Sequence, residues 1–309
     1  MRLEFEDVSY SYEGGEAKKK KRSGAKKAQW GNAPDAPWAL RHVSFTVEPG
    51  EFLGIAGHTG SGKSTLIQHM NGLIHPTEGR VLADGESLAS KEVARRVRGR
   101  VGLVFQYPET QLFAATVFDD VAFGPRNMGV PEAQIEQRVR EALERVGLCF
   151  EQLKGRSPFS LSGGQQRRVA FAGVLAMNPE MLVLDEPAAG LDPKAREDFL
   201  NMISGFHAQG TTVVMVSHSM DDLAARCSRV LVLSEGEVFA LGTPAEVFAD
   251  GERLRSVGLG LPAPVAFAGQ LRQAGFPLEA GFFTEEQLAD AIARALGRAV
   301  AAREGADRR

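Results

Sequence analysis

Eight consecutive residues, Gly57, His58, Thr59, Gly60, Ser61, Gly62, Lys63 and Ser64, carry the densest chemistry in this sequence. The glycines let backbone N–H groups converge on an anion, Lys63 would reach β- and γ-phosphates, and the Ser64 hydroxyl would ligate Mg²⁺. Such a pattern has this meaning only between a strand and a helix. Residues 51–56 form a short apolar run that reads as a buried strand, and residues 65–70 read as a helix stopped near Gly72. The N-terminus of that helix would add its own partial positive charge. Taken alone, the eight residues also fit a glycine-rich turn that binds nothing.

Four more places bring polar side chains to the ends of predicted elements. Residues 181–184 are an apolar strand ending in Asp185 and Glu186. Asp185 stands where an acid would hold Mg²⁺, and Glu186 where a carboxylate would polarise water attacking the γ-phosphate. Capping of the next helix is the alternative for either acid. Residues 212–217 form a buried strand ending at His218, which could hydrogen-bond the γ-phosphate and the attacking water. Gln106 ends a strand over residues 101–105, at the carboxyl edge where ligands lie in open α/β sheets. Its amide oxygen could reach Mg²⁺ or the water, or simply cap a surface turn. Leu161, Ser162, Gly163, Gly164 and Gln165 open an amphipathic helix through Arg168, Phe171 and Leu175. Ser162 and Gln165 have the spacing of a capping box, and two glycines at a helix mouth also expose N–H groups to an anion. A predicted helical lobe separates this stretch from the phosphate loop, so a phosphate is expected to meet it across a dimer interface.

These side chains need a scaffold. Residues 3–12 and 39–47 alternate apolar and polar positions, as half-exposed strands should, and suggest an antiparallel β-subdomain beside a parallel core. Tyr12 ends the first of them, suited to stack on a purine or to sit at a sheet edge. Residues 107–117 are unusually apolar for a loop leaving an active site, and a helical region follows to residue 147, interrupted near Pro131. That lobe could dock a partner, or merely pack its aromatics inside. Asp192 follows a turn at residues 189–191 and suits an intersubunit contact or a helix cap. Between the first two strands, residues 13–37 hold a basic run, 18–22, expected to be a mobile surface insertion. Beyond residue 248, Thr284 and Gln287 form a second capping-box pattern ahead of Leu288, Ile292 and Leu296, and the last residues after Val300 should fray.

Composition narrows the class. With 309 residues the chain can bury a large core and carry an appendage; 36 basic against 39 acidic residues give a net charge of −3 and no field favouring nucleic acid. Cys149 and Cys227 lack metal spacing, no apolar run approaches the roughly 20 residues of a membrane span, and residues 1–6 have no signal-peptide core. A cytoplasmic protein is expected, its membrane association supplied by a partner.

In this order the motifs resemble those of ABC-type ATPases. Tyr12 matches the aromatic A-loop residue, 57–64 Walker A with Thr65 beyond it, and Gln106 the Q-loop. Leu161 to Gln165 match the LSGGQ signature, Asp185 ends Walker B, Glu186 is the catalytic glutamate, Asp192 lies in the D-loop and His218 is the switch histidine. The likeness covers about residues 3–245. A narrower match is to the ATPase subunits of energy-coupling-factor (ECF) micronutrient importers, including the cobalt and nickel branch. Residues 106–113 and 121–125 resemble the Q-loop region of one of their two ATPase types, and 186–192 are also similar. Ala188 replaces a frequent hydroxyl residue, and the insertion at 13–37 departs from the pattern.

The resemblance implies an α/β, ABC-type P-loop NTPase with a parallel-sheet core, an antiparallel β-subdomain, a helical subdomain over about residues 107–175 and a small C-terminal helical appendage. The ATPase domain would span 1–248 and the appendage 249–309, the latter helping to hold two ATPases together or packing on its own core. Glu186, His218, Gln106 and Lys63 would be catalytic. Tyr12, residues 57–65, Ser162 to Gln165 and Asp192 would bind ATP, and Ser64, Gln106 and Asp185 would hold Mg²⁺. Implied partners are a second ABC ATPase subunit in a homo- or heterodimer, a transmembrane coupling subunit seated near residues 106–118, and a membrane substrate-binding subunit. The place would be the cytoplasmic face of the cell membrane. The alternatives are the ATPase of another ABC transporter, or a soluble ABC ATPase acting on nucleic acid. The second usually needs coiled-coil insertions or two cassettes, and neither is present here, so no nucleic acid is expected.

Overall fold

A computed structural model describes residues 1–12, 38–279 and 281–306. The basic insertion expected at 13–37 lies outside the described residues. Among the described residues ten strands fall into two sheets: β1 (Leu3–Tyr10), β2 (Leu40–Val47), β3 (Phe52–Ala56), β4 (Glu78–Ala83), β5 (Glu86–Ser87), β6 (Val101–Val104), β7 (Met181–Asp185), β8 (Thr212–Val216), β9 (Arg229–Ser234) and β10 (Glu237–Gly242). The smaller sheet has order β2-β1-β4-β5 and is antiparallel throughout. The larger has order β10-β9-β3-β8-β7-β6, parallel from β9 to β6 and closed at one edge by antiparallel β10.

Strand chemistry explains the division. β1 and β2 alternate because each has one wetter face, whereas β3 and β8 are apolar runs buried along their whole length. Continuous burial is what a parallel strand covered on both faces requires. Within β7, Met181 and Val183 join the core shared with the antiparallel sheet, while Leu182 and Leu184 join the core beneath the helices. That is the two-residue period of a strand distributing one apolar run between two layers.

Helices α1 (Lys63–Met70) and α2 (Lys91–Arg100) lie in the first half. A helical lobe follows, made of α3 (Val117–Asn127), α4 (Glu132–Arg145) and α5 (Gly163–Leu175), which pack on one another. In α4 the buried positions Ile135, Val139, Ala142 and Leu143 trace one helical face. Then come α6 (Pro193–Ala208) and α7 (Met220–Arg226), and in the tail α8 (Ala263–Gln273) and α9 (Glu285–Ala306). The capping pattern at Thr284 is realised: its hydroxyl accepts from Gln287 N at 3.2 Å and its own N donates to Gln287 Oε1 at 3.3 Å. Helix α9 runs past Val300 to Ala306. Leu254 and Leu259, beyond residue 248, are buried in the same core as the helical lobe. Among the described residues no helix is long and apolar enough to cross a membrane.

Candidate nucleotide site

β3, β8, β7 and β6 are neighbours in the parallel sheet, and all four run in one direction. Their carboxyl ends therefore form one edge, which holds the phosphate-loop residues 57–64, His218, the pair Asp185–Glu186, and Gln106. In the sequence these groups are spread from position 57 to position 218. Sheet order alone makes them neighbours, at the edge where open α/β sheets take their ligands.

The loop after β3 is built from backbone. Gly62, the residue before α1, has φ +102°, and a Cβ there would stand 2.5 Å from the Ala39 carbonyl oxygen. No other residue fits that position. Lys63 is 92% buried, and its Nζ donates to the carbonyls of Gly57 at 2.7 Å and His58 at 2.9 Å. Burial lowers its pKa, against the opposing pull of Glu186 and Asp185. The ammonium group is thus held inside the loop by two neutral acceptors that a phosphate, with its full charge, would outcompete.

Beside it, Ser64 Oγ donates to Asp185 Oδ2 at 3.3 Å. Burial raises the Asp185 pKa, while the Ser64 hydrogen bond, Lys63 and His218 pull it down. Glu186 has φ +49°, the left-handed region that a residue with a Cβ seldom occupies. Its backbone N donates to Val216 O on β8 at 3.1 Å, which holds it there. Its Oε1 is buried without a hydrogen-bond partner among the described residues; His218 Nε2 lies 3.4 Å away but is not aligned to donate. Burial raises the Glu186 pKa, with His218 opposing and Asp185 adding to the rise. A left-handed backbone and a buried carboxylate oxygen without a partner among the described residues thus coincide in one residue.

Tyr12 joins this group from the antiparallel sheet, its hydroxyl 3.0 Å from Thr65 Oγ1, with the ring 58% exposed. Half-buried His58 and exposed Thr59 form the outer wall of the loop, His58 Nδ1 lying 2.8 Å from the Thr59 carbonyl. Gln106 lies exposed just past β6, and its side chain makes no hydrogen bond among the described residues. Ser162 and Gln165 form the capping box of α5: Gln165 N donates to Ser162 Oγ at 3.4 Å, and Ser162 N to Gln165 Oε1 at 3.2 Å. Gly163 and Gly164 beside them are exposed. Asp192 caps α6, its Oδ1 accepting from Ala195 N at 3.0 Å. So the phosphate loop, Tyr12, Thr65, Asp185, Glu186 and His218 form one group, while residues 162–165 and Asp192 hydrogen-bond only locally.

Two features escape sequence spacing. Arg167, on the α5 face turned toward the sheet, is buried and forms a two-pronged ion pair with Glu109, a residue of the 3₁₀ turn Pro108–Gln111. A lone charge on an amphipathic helix gives no signal of this. The second is a groove of about 850 Å³ between α2, α3 and α5. Phe113 and Phe123, both at least half exposed, meet edge-to-face in it at 4.9 Å, and Arg95, Arg96 and Arg98 line its rim.

Residues 40–189 match the family model described as ABC transporter. The chain is 53% identical to the energy-coupling factor transporter ATP-binding protein EcfA2 of Symbiobacterium thermophilum, with all of both chains covered. It is 44% identical to EcfA2 of Caldanaerobacter subterraneus subsp. tengcongensis, over 96% of this chain and 98% of that protein. The solved structure of cbiO1 from Clostridium perfringens, part of the ABC transporter complex cbiONQ, is similar with a TM-score of 0.68. Its identity is 37%, and 88% of this chain and 98% of that one are covered. The ATP-binding cassette MJ0796, a dimer in a post-hydrolysis state bound to ADP and Pi, gives a TM-score of 0.63 at 27% identity, covering 78% of this chain and 98% of that one. The fold expected from the motifs is the fold observed, and the chain belongs to the ABC transporter ATPases and, within them, to the ATP-binding proteins of energy-coupling factor transporters.

Proposed function

We propose that this ABC ATPase closes with a second ATPase subunit around ATP and Mg²⁺, and that hydrolysis drives uptake of a micronutrient, a vitamin or a transition-metal ion, through membrane partners. The observation that carries the proposal is the meeting of Lys63, Ser64, Asp185, Glu186 and His218 at one sheet edge. Lys63 exchanges its two carbonyl acceptors for the β- and γ-phosphates. The oxygen donors Ser64 and Asp185 already touch, and with the Gln106 amide they make the hard, all-oxygen set that suits Mg²⁺. Among the described residues no cluster of three acidic, histidine or cysteine side chains could cage a metal. A cation held by Ser64, Asp185 and Gln106 would be shared with the substrate phosphates. When bound, it neutralises charge developing on the phosphates.

Glu186 presents its unpartnered Oε1 to the attacking water, orients it and takes its proton as the bond to the γ-phosphorus forms and the bond to the β–γ bridging oxygen breaks, releasing ADP. His218 lies within reach of the same oxygen and of the γ-phosphate. Tyr12, exposed beside Thr65, offers its ring face to the adenine. Gly163 and Gly164 supply free helix-start N–H groups to the nucleotide of the facing subunit, with Ser162, Gln165 and Asp192 at the same contact. The MJ0796 dimer supports this arrangement by similarity. The aromatic groove near residues 106–118 receives a helix of the transmembrane subunit, in line with the assembly named for cbiO1.

Glu186→Gln tests the proposal directly. ATP affinity should stay within about threefold and turnover should fall by about 10³-fold, in the range seen when a single catalytic group is removed. Normal turnover by this variant would sink the assignment.

A further inference from the structure

Arg167 sits where three segments of the site meet, and its bonds are unusual for an interior arginine. Nε donates to Glu109 Oε2 at 3.0 Å and Nη2 to Glu109 Oε1 at 2.9 Å, a fork on a carboxylate. Nη1 donates to the Ala189 carbonyl at 2.8 Å. Ala189 N in turn donates to the Glu186 carbonyl at 3.1 Å, closing the turn that carries the catalytic side chain. The guanidinium also lies 5.9 Å from the centre of the Tyr107 ring, and that ring packs on Gly190. Tyr107 itself has φ +56°, so the segment after Gln106 is held in a conformation that it would leave if released.

Burying such a pair is not an economical route to stability. Arg167 is 4% exposed and Glu109 22%, and two apolar residues of similar volume would pack there without desolvating two charges. The next residue, Arg168, shows the ordinary alternative: its guanidinium reaches only the Val146 carbonyl. What the fork at Arg167 provides is fixed distance and direction. It ties the turn Pro108–Gln111, next to the aromatic groove, to α5 and to the turn holding Glu186.

We propose that Arg167 is a positioning residue for hydrolysis, transmitting the placement of the 107–111 segment, and hence the occupancy of the groove, to the backbone beneath Glu186. It touches neither nucleotide nor water. The inference rests on the hydrolytic reading above, which wild-type turnover and Glu186→Gln test separately.

The test is steady-state ATP hydrolysis by the full chain assembled with its transporter partners, together with calorimetric binding of AMP-PNP. Variants are Arg167→Met, Arg167→Lys, Glu109→Gln and the double Glu109→Gln/Arg167→Met. Each of the two single removals should lower kcat by 10- to 100-fold, with KM and AMP-PNP affinity within threefold. The double variant removes both charges, so it keeps the wild-type melting temperature within a few degrees, and it should be no slower than the slower single variant, because both changes cut one link. Arg167→Lys keeps a charge for Glu109 but has no second prong for Ala189, so its kcat should lie between wild type and Arg167→Met. A double variant at wild-type kcat, effects that multiply, or nucleotide affinity falling in step with kcat would each overturn the proposal. Arg167→Lys at full wild-type turnover would do the same, and it remains informative should the methionine variants fail to fold.

Discussion

Glu186 concentrates the costs of this site: a left-handed backbone, a buried carboxylate and an oxygen without a hydrogen bond. Burial raises its pKa, and with Asp185 adjacent the folded chain holds protons that the unfolded chain releases. A carboxyl whose folded pKa is raised contributes stability at low pH and loses it as pH rises through that pKa. Near neutral pH the nucleotide-free chain is therefore penalised. Glu186→Gln should melt about 2 °C above wild type at pH 7, the shift that about 1 kcal/mol produces in a chain of this size. The difference should narrow as pH falls through the raised carboxyl range. Melting curves across pH decide it, and a gap that widens in acid would contradict the burial argument. The same raised pKa should place the acid limb of kcat/KM, which reports the free enzyme, above the ordinary glutamate value of about 4.3.

At the scale of elements, the phosphate loop works because backbone approaches backbone at Gly62. A Cβ would meet the Ala39 carbonyl at 2.5 Å, on a φ of +102° that side chains avoid. Gly62→Ala should therefore push apart β2 and the start of α1 and raise the ATP dissociation constant at least tenfold, about 1.4 kcal/mol. Unchanged affinity by calorimetry would mean that the loop relaxes elsewhere. Here the sequence is highly legible: glycine spacing, the strand before it and the helix after it are all local features. The capping box at Ser162 and Gln165 is equally legible and is formed in the folded chain. Arg167 is the opposite case, because its partners Glu109 and Ala189 lie 58 and 22 residues away. No periodicity reports a contact of that range.

Over the whole molecule, the core does not stop where the motifs do. Leu254 and Leu259 are buried with Val247 and Phe248 in the core beneath the helical lobe, and the start of α8 is tied back by Ala263 N donating to Asp221 Oδ1 at 2.7 Å. Burial of two leucines is worth about 3–6 kcal/mol. A chain ending at residue 248 should melt about 10 °C below one ending at residue 261. Equal melting temperatures for the two truncations would show that the segment between them adds nothing to the core. The appendage formed by α8 and α9 then reads as a smaller unit, packed through Leu288, Ala291 and Ala295.

The sequence alone determined the chemistry: a phosphate loop, a carboxylate pair, a strand-end histidine and a signature stretch are written in short spans whose meaning depends on adjacent residues. It also determined the parallel core, because unbroken apolar runs cannot tolerate a wet face. The tertiary structure decided which strand ends are neighbours, that Ser64 touches Asp185 across 121 positions, and that Arg167 joins three segments. Those facts depend on sheet order and on the distance at which charged groups meet once water is excluded, and both are properties of the folded chain.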